Sequence, residues 1–477
     1  MRQPSDAILA DLVRSRAERI PDLDVLSFEH WSLDGGATPD EVRTFADLVT
    51  NANRIAAGLV ARGMTRGDRF ALMMRNHPEF VETMIAASWA GAIFVPIDPR
   101  TRGEKLAYFL RSAGCRGIVC ADYCLGALEA VRGSAPDLGW ILALETREEP
   151  ESRALAEVPG AESLREALAK PAATLPVRAE GPDDPLQIIY TSGTTGDPKG
   201  VVFPNGRFAA FAMLGLLLGY RPDERPYTGL SLTHGNAQAV TLGPALGMGL
   251  RAVLSRRFTK SRLWEVCRRH GCTTFSLLGG MATAIYSEPP RPDDAEHPVR
   301  LVVSAGMPRA IWEAFEQRFG VRIFEWYGAV EGGLACKPIG QGPVGSFGKP
   351  VGGLEMKILD ERDRECPPGV VGEICSRPVP RLLAARALAA ADQVLGRAVF
   401  ARRSAHPVGR LGLRGATAQR QDDADHRDAC HVRPPLSCTT GRRRAWSTPS
   451  AECERPVRSR RASRARRSAG ARVRYPR

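Results

Sequence analysis

The stretch Ile188-Ile189-Tyr190-Thr191-Ser192-Gly193-Thr194-Thr195-Gly196-Asp197-Pro198-Lys199-Gly200 restricts the fold of this 477-residue chain more than any other. A short apolar strand runs directly into a loop of Ser, Thr and Gly that a lysine closes. Glycine lets the backbone approach a ligand closely and adopt positive φ. Successive backbone N–H groups and hydroxyls in such a loop form an anion-binding concavity, to which the lysine adds a point charge. The stretch therefore points to phosphate chemistry at the end of a strand. A solvent-exposed turn is the competing reading, and the density of Ser, Thr and Gly straight after a strand argues against it. The Gly-x4-Gly-Lys-Ser/Thr pattern of P-loop nucleotide sites is excluded, since Pro198 stands five residues after Gly193 and Gly200 follows Lys199.

The surrounding pattern predicts what carries that loop. Residues 41–62 read as an amphipathic helix through Val42, Phe45, Leu48, Ile55 and Leu59. Arg69–Met74 reads as a strand, Pro78–Trp89 as a helix, Gly91–Ile97 as a buried strand, Leu106–Ala113 as a helix and Gly117–Cys120 as a strand. Alternation of this kind argues for a parallel, doubly wound sheet. Residues 146–184 are polar and loop-like. A second alternating region begins at Leu186–Tyr190 and continues through Thr273–Leu277, Arg300–Val303 and Val321–Glu325. From Gly342 to Ile374, short strands with Gly and Pro turns suggest a small β-barrel. The fold class expected is α/β, with two doubly wound subdomains and a small barrel.

Composition matters chiefly because it changes along the chain. The whole carries a net charge of +13, which suggests a nucleic-acid partner. Residues 381–477, however, hold 23 Arg, no Lys and 7 acidic residues, a local net charge of +16. The first 380 residues are therefore slightly acidic, and the basic balance says little about their partners. The same 97 residues hold 19 Ala and no Ile, Met, Lys or Asn. Arg and Ala have GC-rich codons and the absent four have AT-rich ones, as a GC-rich gene read out of frame would give. An Arg-rich nucleic-acid-binding tail and a natural disordered extension are the alternatives. The division expected is a core over 1–378 and an aberrant or disordered tail over 379–477. Eleven cysteines without a Cys-x-x-Cys pair exclude a disulfide scaffold and a zinc ribbon. No apolar leader occurs in Met1–Asp22, and the longest nearly apolar run, Phe208–Tyr220, is too short to span a bilayer. A cytoplasmic protein without a membrane span is expected.

Several ordered motifs resemble those of the adenylate-forming enzymes, the superfamily of acyl-CoA synthetases, firefly luciferase and peptide-synthetase adenylation domains. Tyr190–Gly200 resembles their phosphate-loop signature. Ser304-Ala305-Gly306-Met307-Pro308 resembles the segment lining the adenine pocket, and Glu325-Trp326-Tyr327-Gly328-Ala329-Val330-Glu331 resembles the Tyr-Gly-x-Thr-Glu motif. Gly345–Pro350 and Pro368–Ile374 resemble the later barrel motifs. The resemblance covers roughly residues 8–378. It implies a ligase that joins a carboxylic acid to ATP, forming an acyl-adenylate, and passes the acyl group to CoA. It further implies that Thr191, Ser192, Gly193, Thr194, Thr195, Gly196 and Lys199 hold the β- and γ-phosphates. Gly306, Met307, Pro308, Glu325, Trp326, Tyr327, Gly328 and Val330 would form the nucleotide pocket, with Tyr327 stacked on adenine. Glu331, with Thr191, would bind Mg²⁺, which favours carboxylate, phosphate and water oxygens. Thr191, Lys199, His234 and Glu331 are the expected catalytic residues, His234 orienting the acid or guarding the thioester tunnel. For His234 the alternative is a core histidine. Leu277–Met281 would line the acyl pocket or simply pack the core.

The chain departs from the family pattern in two places. Val330 stands where the family has Thr, which removes one hydroxyl from the site. After the barrel the family has a ribose-binding Asp in a Gly-Asp pair and a lid domain bearing a catalytic Lys. Residues 379–477 contain no Gly-Asp, and residues 358–477 contain no Lys. Impaired activity follows as an expectation. A catalytically dead nucleotide-binding core with a basic nucleic-acid-binding tail is the rival reading. The partners expected are a small carboxylic acid, ATP, Mg²⁺ and CoA. Nucleic acid is not expected for the core.

Overall fold

Thr44 decides where the first long helix begins. Its hydroxyl accepts the Asp47 N–H at 3.1 Å while the Asp47 carboxylate accepts the Thr44 N–H at 2.9 Å. This reciprocal cap satisfies two otherwise orphaned donors. The helix therefore spans Phe45–Ala61, and Glu41–Thr44 before it form a strand rather than the first turn expected over 41–62. The computed structural model describes residues 3–30, 39–171, 175–191 and 197–379.

Two sheets carry the architecture. In the first, seven strands run in the order Ala161–Ser163, Trp140–Leu144, Cys115–Ala121, Arg69–Met73, Ile93–Pro96, Pro185–Thr191 and Lys199–Pro204. All neighbours are parallel except the last pair. In the second, nine strands run in the order Lys349–Pro350, Leu334–Cys336, Arg322–Gly328, Leu301–Ala305, Thr274–Leu278, Pro226–Thr228, Ala252–Ser255, Asp24–Glu29 and Glu41–Thr44. Its middle is parallel, and its two edges turn antiparallel. Strands buried on both faces read as continuous apolar runs, as Trp140–Leu144 and Arg69–Met73 do.

One buried apolar cluster joins the sheets, since Leu26, Phe28 and Leu254 of the nine-stranded sheet share it with Phe70, Leu72 and Ile118 of the seven-stranded sheet. Helix Pro78–Ala90 is buried along its whole length, including Glu79 and Glu82. The guanidinium of Arg43, on the edge strand Glu41–Thr44 of the nine-stranded sheet, reaches Glu82 at 2.7 Å, so a charge pair ties that strand to the helix. The sheets and crossover helices match the two doubly wound subdomains expected. The β structure expected from Gly342 onward consists, among the described residues, of Lys349–Pro350 at the sheet edge and an antiparallel ladder of Leu354–Leu359 with Glu373–Pro378.

Candidate functional site

Strands Leu301–Ala305 and Arg322–Gly328 lie side by side in parallel, with Ser304 level with Glu325. Side chains alternate along a strand. Phe324 and Trp326 therefore point into one cluster, with Leu301 and Val303. Ile323, Glu325 and Tyr327 share the opposite face. There the Glu325 carboxylate accepts the N–H of Gly306 at 2.5 Å and of Met307 at 3.1 Å. Burial pushes this carboxyl above the usual range, and the two N–H bonds pull the other way. Gly306 has φ +91°, and its carbonyl oxygen would lie 2.2 Å from a Cβ placed on Gly279. Two backbones thus meet where only glycine fits, and Glu325 ties one of them down.

Past Glu325 the strand ends in a tight return. Trp326, Tyr327 and Gly328 pair with Cys336, Ala335 and Leu334, so Ala329–Gly333 form the turn. The half-buried Tyr327 ring lies 5.2 Å from Phe347 at 31°. Burial first, then the charge of Glu331, pushes its phenol up. Glu331 is half-buried and has no hydrogen bond or ion pair among the described residues. Val330 is level with a second segment, since a Cβ on Gly235 would sit 4.0 Å from its methyl carbon.

That second segment carries His234. The side chain is exposed, so the core-histidine alternative fails. Its backbone N–H donates to Ser231 at 3.0 Å. Its charge reaches Asp98, just past strand Ile93–Pro96 of the other sheet. Burial alone would raise the Asp98 carboxyl, but Arg100 hydrogen bonds and the charges of Arg100 and His234 hold it below its ordinary value.

The lysine of the phosphate-loop motif closes a hairpin. Thr191, at the carboxyl end of Pro185–Thr191, is level with Lys199, the first residue of the antiparallel strand Lys199–Pro204. Helix Gly103–Ala113 grips both stems. The Tyr108 hydroxyl donates to the Pro198 carbonyl at 3.0 Å, the Ser112 hydroxyl meets the Tyr190 hydroxyl at 2.5 Å, and Phe109 stacks on Tyr190 at 4.4 Å. Ser192, Gly193, Thr194, Thr195 and Gly196 lie outside the described residues. Lys199 is exposed.

The structure thus brings together Gly306, Met307, Glu325, Tyr327, Val330 and Glu331, with His234 on the adjoining segment. Pro308 follows at the start of a short helical turn, and Gly328 is held to glycine because a Cβ would lie 2.4 Å from the Trp326 ring. Trp326 itself is a correction. It was expected in the nucleotide pocket, but its indole packs the apolar cluster on the far face. No hydrogen bond or ion pair among the described residues links Thr191 or Lys199 to Glu331. The helix Asn205–Leu217, which follows the hairpin, meets the Glu331 turn, where Arg207 donates to the Ala329 carbonyl at 3.4 Å and lies 3.9 Å over Phe203 of the hairpin. Sequence reasoning missed Arg207 and Tyr108, which bond backbone carbonyls far away in the chain, and Ser112, which meets the distant Tyr190 hydroxyl, so none leaves a local motif.

Among the described residues no group of three or more His, Cys, Asp or Glu side chains could hold a metal. A cation at Glu331 would need phosphate and water to complete its shell, which is how Mg²⁺ is commonly bound. The unpaired carboxylate fits that role.

The family model described as AMP-binding enzyme matches residues 13–379. The chain is 31% identical over 353 residues to the long-chain fatty acid transport protein 1 of Homo sapiens, covering 72% of this chain and 51% of that protein. It is 31% identical over 342 residues to the medium/long-chain-fatty-acid–CoA ligase FadD6 of Mycobacterium tuberculosis, covering 70% and 52%. The chain spans about half the length of these relatives. The crystal structure of the anthranilate CoA ligase AuaEII with anthranoyl-AMP shares the fold, with a TM-score of 0.68 at 24% identity over 78% of this chain and 69% of that one. The chain belongs to the AMP-binding enzyme family.

Proposed function

We propose that residues 1–378 form the nucleotide-binding core of a carboxylic acid–CoA ligase. The observation that carries this reading is the paired strand ends. Ser304 and Glu325 are the last registered pair, and just past it Glu325 holds the backbone of Gly306, which lacks a Cβ, while its own strand carries Tyr327 two residues on, so a flat base would lie between that backbone and the tyrosine ring. The same strand then delivers an unpaired carboxylate, Glu331, to the polyphosphate side. In the reaction, an oxygen of the acid attacks the α-phosphorus of ATP, the α–β phosphoanhydride bond breaks and pyrophosphate leaves. The CoA sulfur, as thiolate, then attacks the acyl carbonyl, and AMP departs. A carboxylate is a poor nucleophile, so alignment and charge stabilisation supply the rate. Lys199 and the Thr191–Gly196 loop serve the β- and γ-phosphates, and His234 stands at the acid side. Glu331 and Thr191 would hold Mg²⁺, which when bound neutralises phosphate charge. The relatives named for fatty acids support an apolar carboxylic acid as substrate.

The same reading holds that this chain is impaired as encoded. Residues 379–477 hold no Gly-Asp pair and residues 358–477 no Lys, so these residues offer neither the ribose contact nor the lid cation that the resemblance implies. A reading-frame change near residues 378–385 accounts for both. No described helix is long and apolar enough to cross a membrane, and a cytoplasmic site of action fits the reading. Acid-dependent exchange of pyrophosphate into ATP tests it. Loss of one charge-stabilising donor typically costs ~100-fold or more in rate. Exchange is therefore expected at least ~100-fold below that of a family member with an intact lid, with ATP binding retained. Robust exchange overturns the impairment, and absence of ATP binding overturns the nucleotide core.

A further inference from the structure

We propose that helix Gly103–Ala113 sets the position of the two stems of the phosphate-loop motif, Tyr190–Thr191 and Pro198–Lys199, with Tyr108 and Ser112 as positioning residues for the triphosphate. The proposal rests on the phosphate-loop reading above. Seven residues separate the last registered pair of the hairpin, Thr191 and Lys199. The antiparallel ladder registers the two stems to each other as far as that pair. Side-chain hydrogen bonds to both stems come from one helix, about 80 to 90 residues earlier in sequence.

The chemistry of each contact suits the task. Pro198 has no N–H, so its carbonyl is the only backbone polar group by which that residue can be anchored. Tyr108 takes that carbonyl, one residue before Lys199. On the other stem, Tyr190 is one residue before Thr191. Its ring lies on Phe109 at 4.4 Å with its plane tilted by 30°, and its hydroxyl meets Ser112. Burial pushes the Tyr190 phenol up to about 12, so it stays a neutral hydrogen-bonding group at physiological pH. Tyr108 also meets the Tyr190 ring edge-on at 6.2 Å, which joins the two clamps into one aromatic unit. Lys199 and Thr191 themselves carry none of these contacts, which leaves their side chains available to phosphate.

Tyr108→Phe keeps the ring and removes only the hydroxyl, and Ser112→Ala removes the other clamp. The affinity of the full chain for MgATP and for AMP is measured by titration calorimetry, with the thermal midpoint followed in parallel. AMP lacks the β- and γ-phosphates and reports the rest of the pocket. Each variant is expected to weaken MgATP by about 3- to 10-fold, the usual worth of one hydrogen bond, with AMP unchanged. Tyr108→Leu, which also removes the aromatic contact, should weaken MgATP further. Equal weakening of both nucleotides, or unchanged MgATP affinity in both single variants, overturns the positioning role. Failure of the unaltered chain to bind MgATP overturns the phosphate-loop reading itself and is distinguished by needing no variant.

Discussion

Glu325→Ala should loosen the site and the fold together. In the native chain the carboxylate accepts two backbone N–H groups, one of them on the buried Met307. A hydrogen bond to a charged group contributes ~1.5–3 kcal/mol net, and an abandoned buried donor costs ~1–3 kcal/mol. Gly306 is exposed, so water replaces its partner and only the Met307 donor is stranded. Removing the carboxylate also relieves its own desolvation, the force that raises its titration. The balance is a loss of ~2 kcal/mol, read as a lower urea midpoint with unchanged slope. Release of Gly306 should cost at least ~10-fold in AMP affinity, since the proposed nucleotide pocket is built on that backbone. Glu325→Gln keeps one accepting oxygen and should lose about half as much. An alanine variant with native stability and native AMP affinity refutes the proposed link between this clamp and the nucleotide pocket.

Glu79 gives a pH signature independent of nucleotide. Burial, then the charges of Glu82 and Glu41, push its carboxyl up to about 7, with Arg43 pulling it back. The folded chain then holds a proton that the unfolded chain has released, so stability falls as pH rises from ~4.5 to ~7, by up to ~1.4 kcal/mol per unit for this one group. Urea midpoints at pH 5.5 and 7.5 should diverge between the parent and Glu79→Gln, with the flatter profile in the variant; parallel profiles count against this. Gly279→Ala should destabilise by ~1–3 kcal/mol, because its methyl would lie 2.2 Å from the Gly306 carbonyl oxygen. The neighbouring Gly280→Ala, which meets nothing within 4 Å, should be neutral or slightly stabilising by thermal midpoint. Equal midpoints for the two alanine variants would dispose of the backbone-contact account.

The parts of the fold legible in the sequence are those in which periodicity and burial speak about the same residues. Arg69–Met73, Pro78–Ala90 and Cys115–Ala121 sit within a few residues of where apolar runs and breakers put them, because each is buried on most of its surface. Legibility fails where a local signal is shared by two outcomes. The apolar spacing of Val42 and Phe45 suits a helix, yet the Thr44–Asp47 cap assigns Val42 to a strand. Lys199 reads as the end of a loop, but Val201 and Phe203 continue it as a strand, which makes a hairpin of the motif.

The candidate site shows the same division at the scale of single side chains. A motif names a run of residues, while a strand sends alternate members to opposite faces. In Glu325-Trp326-Tyr327, period two alone separates Trp326 from its neighbours, and Trp326 is the residue the motif misassigned. The remaining omissions have another cause. Tyr108, Ser112 and Arg207 bond the loop stems and the turn that carry the candidate residues, at separations of 78 to 122 residues. A carbonyl such as that of Pro198 or Ala329 looks the same in every sequence, so no residue pattern at the acceptor announces its donor. Short motifs therefore name the candidate residues, whereas the residues that hold those motifs in place become visible only when distant strands and helices are laid against one another.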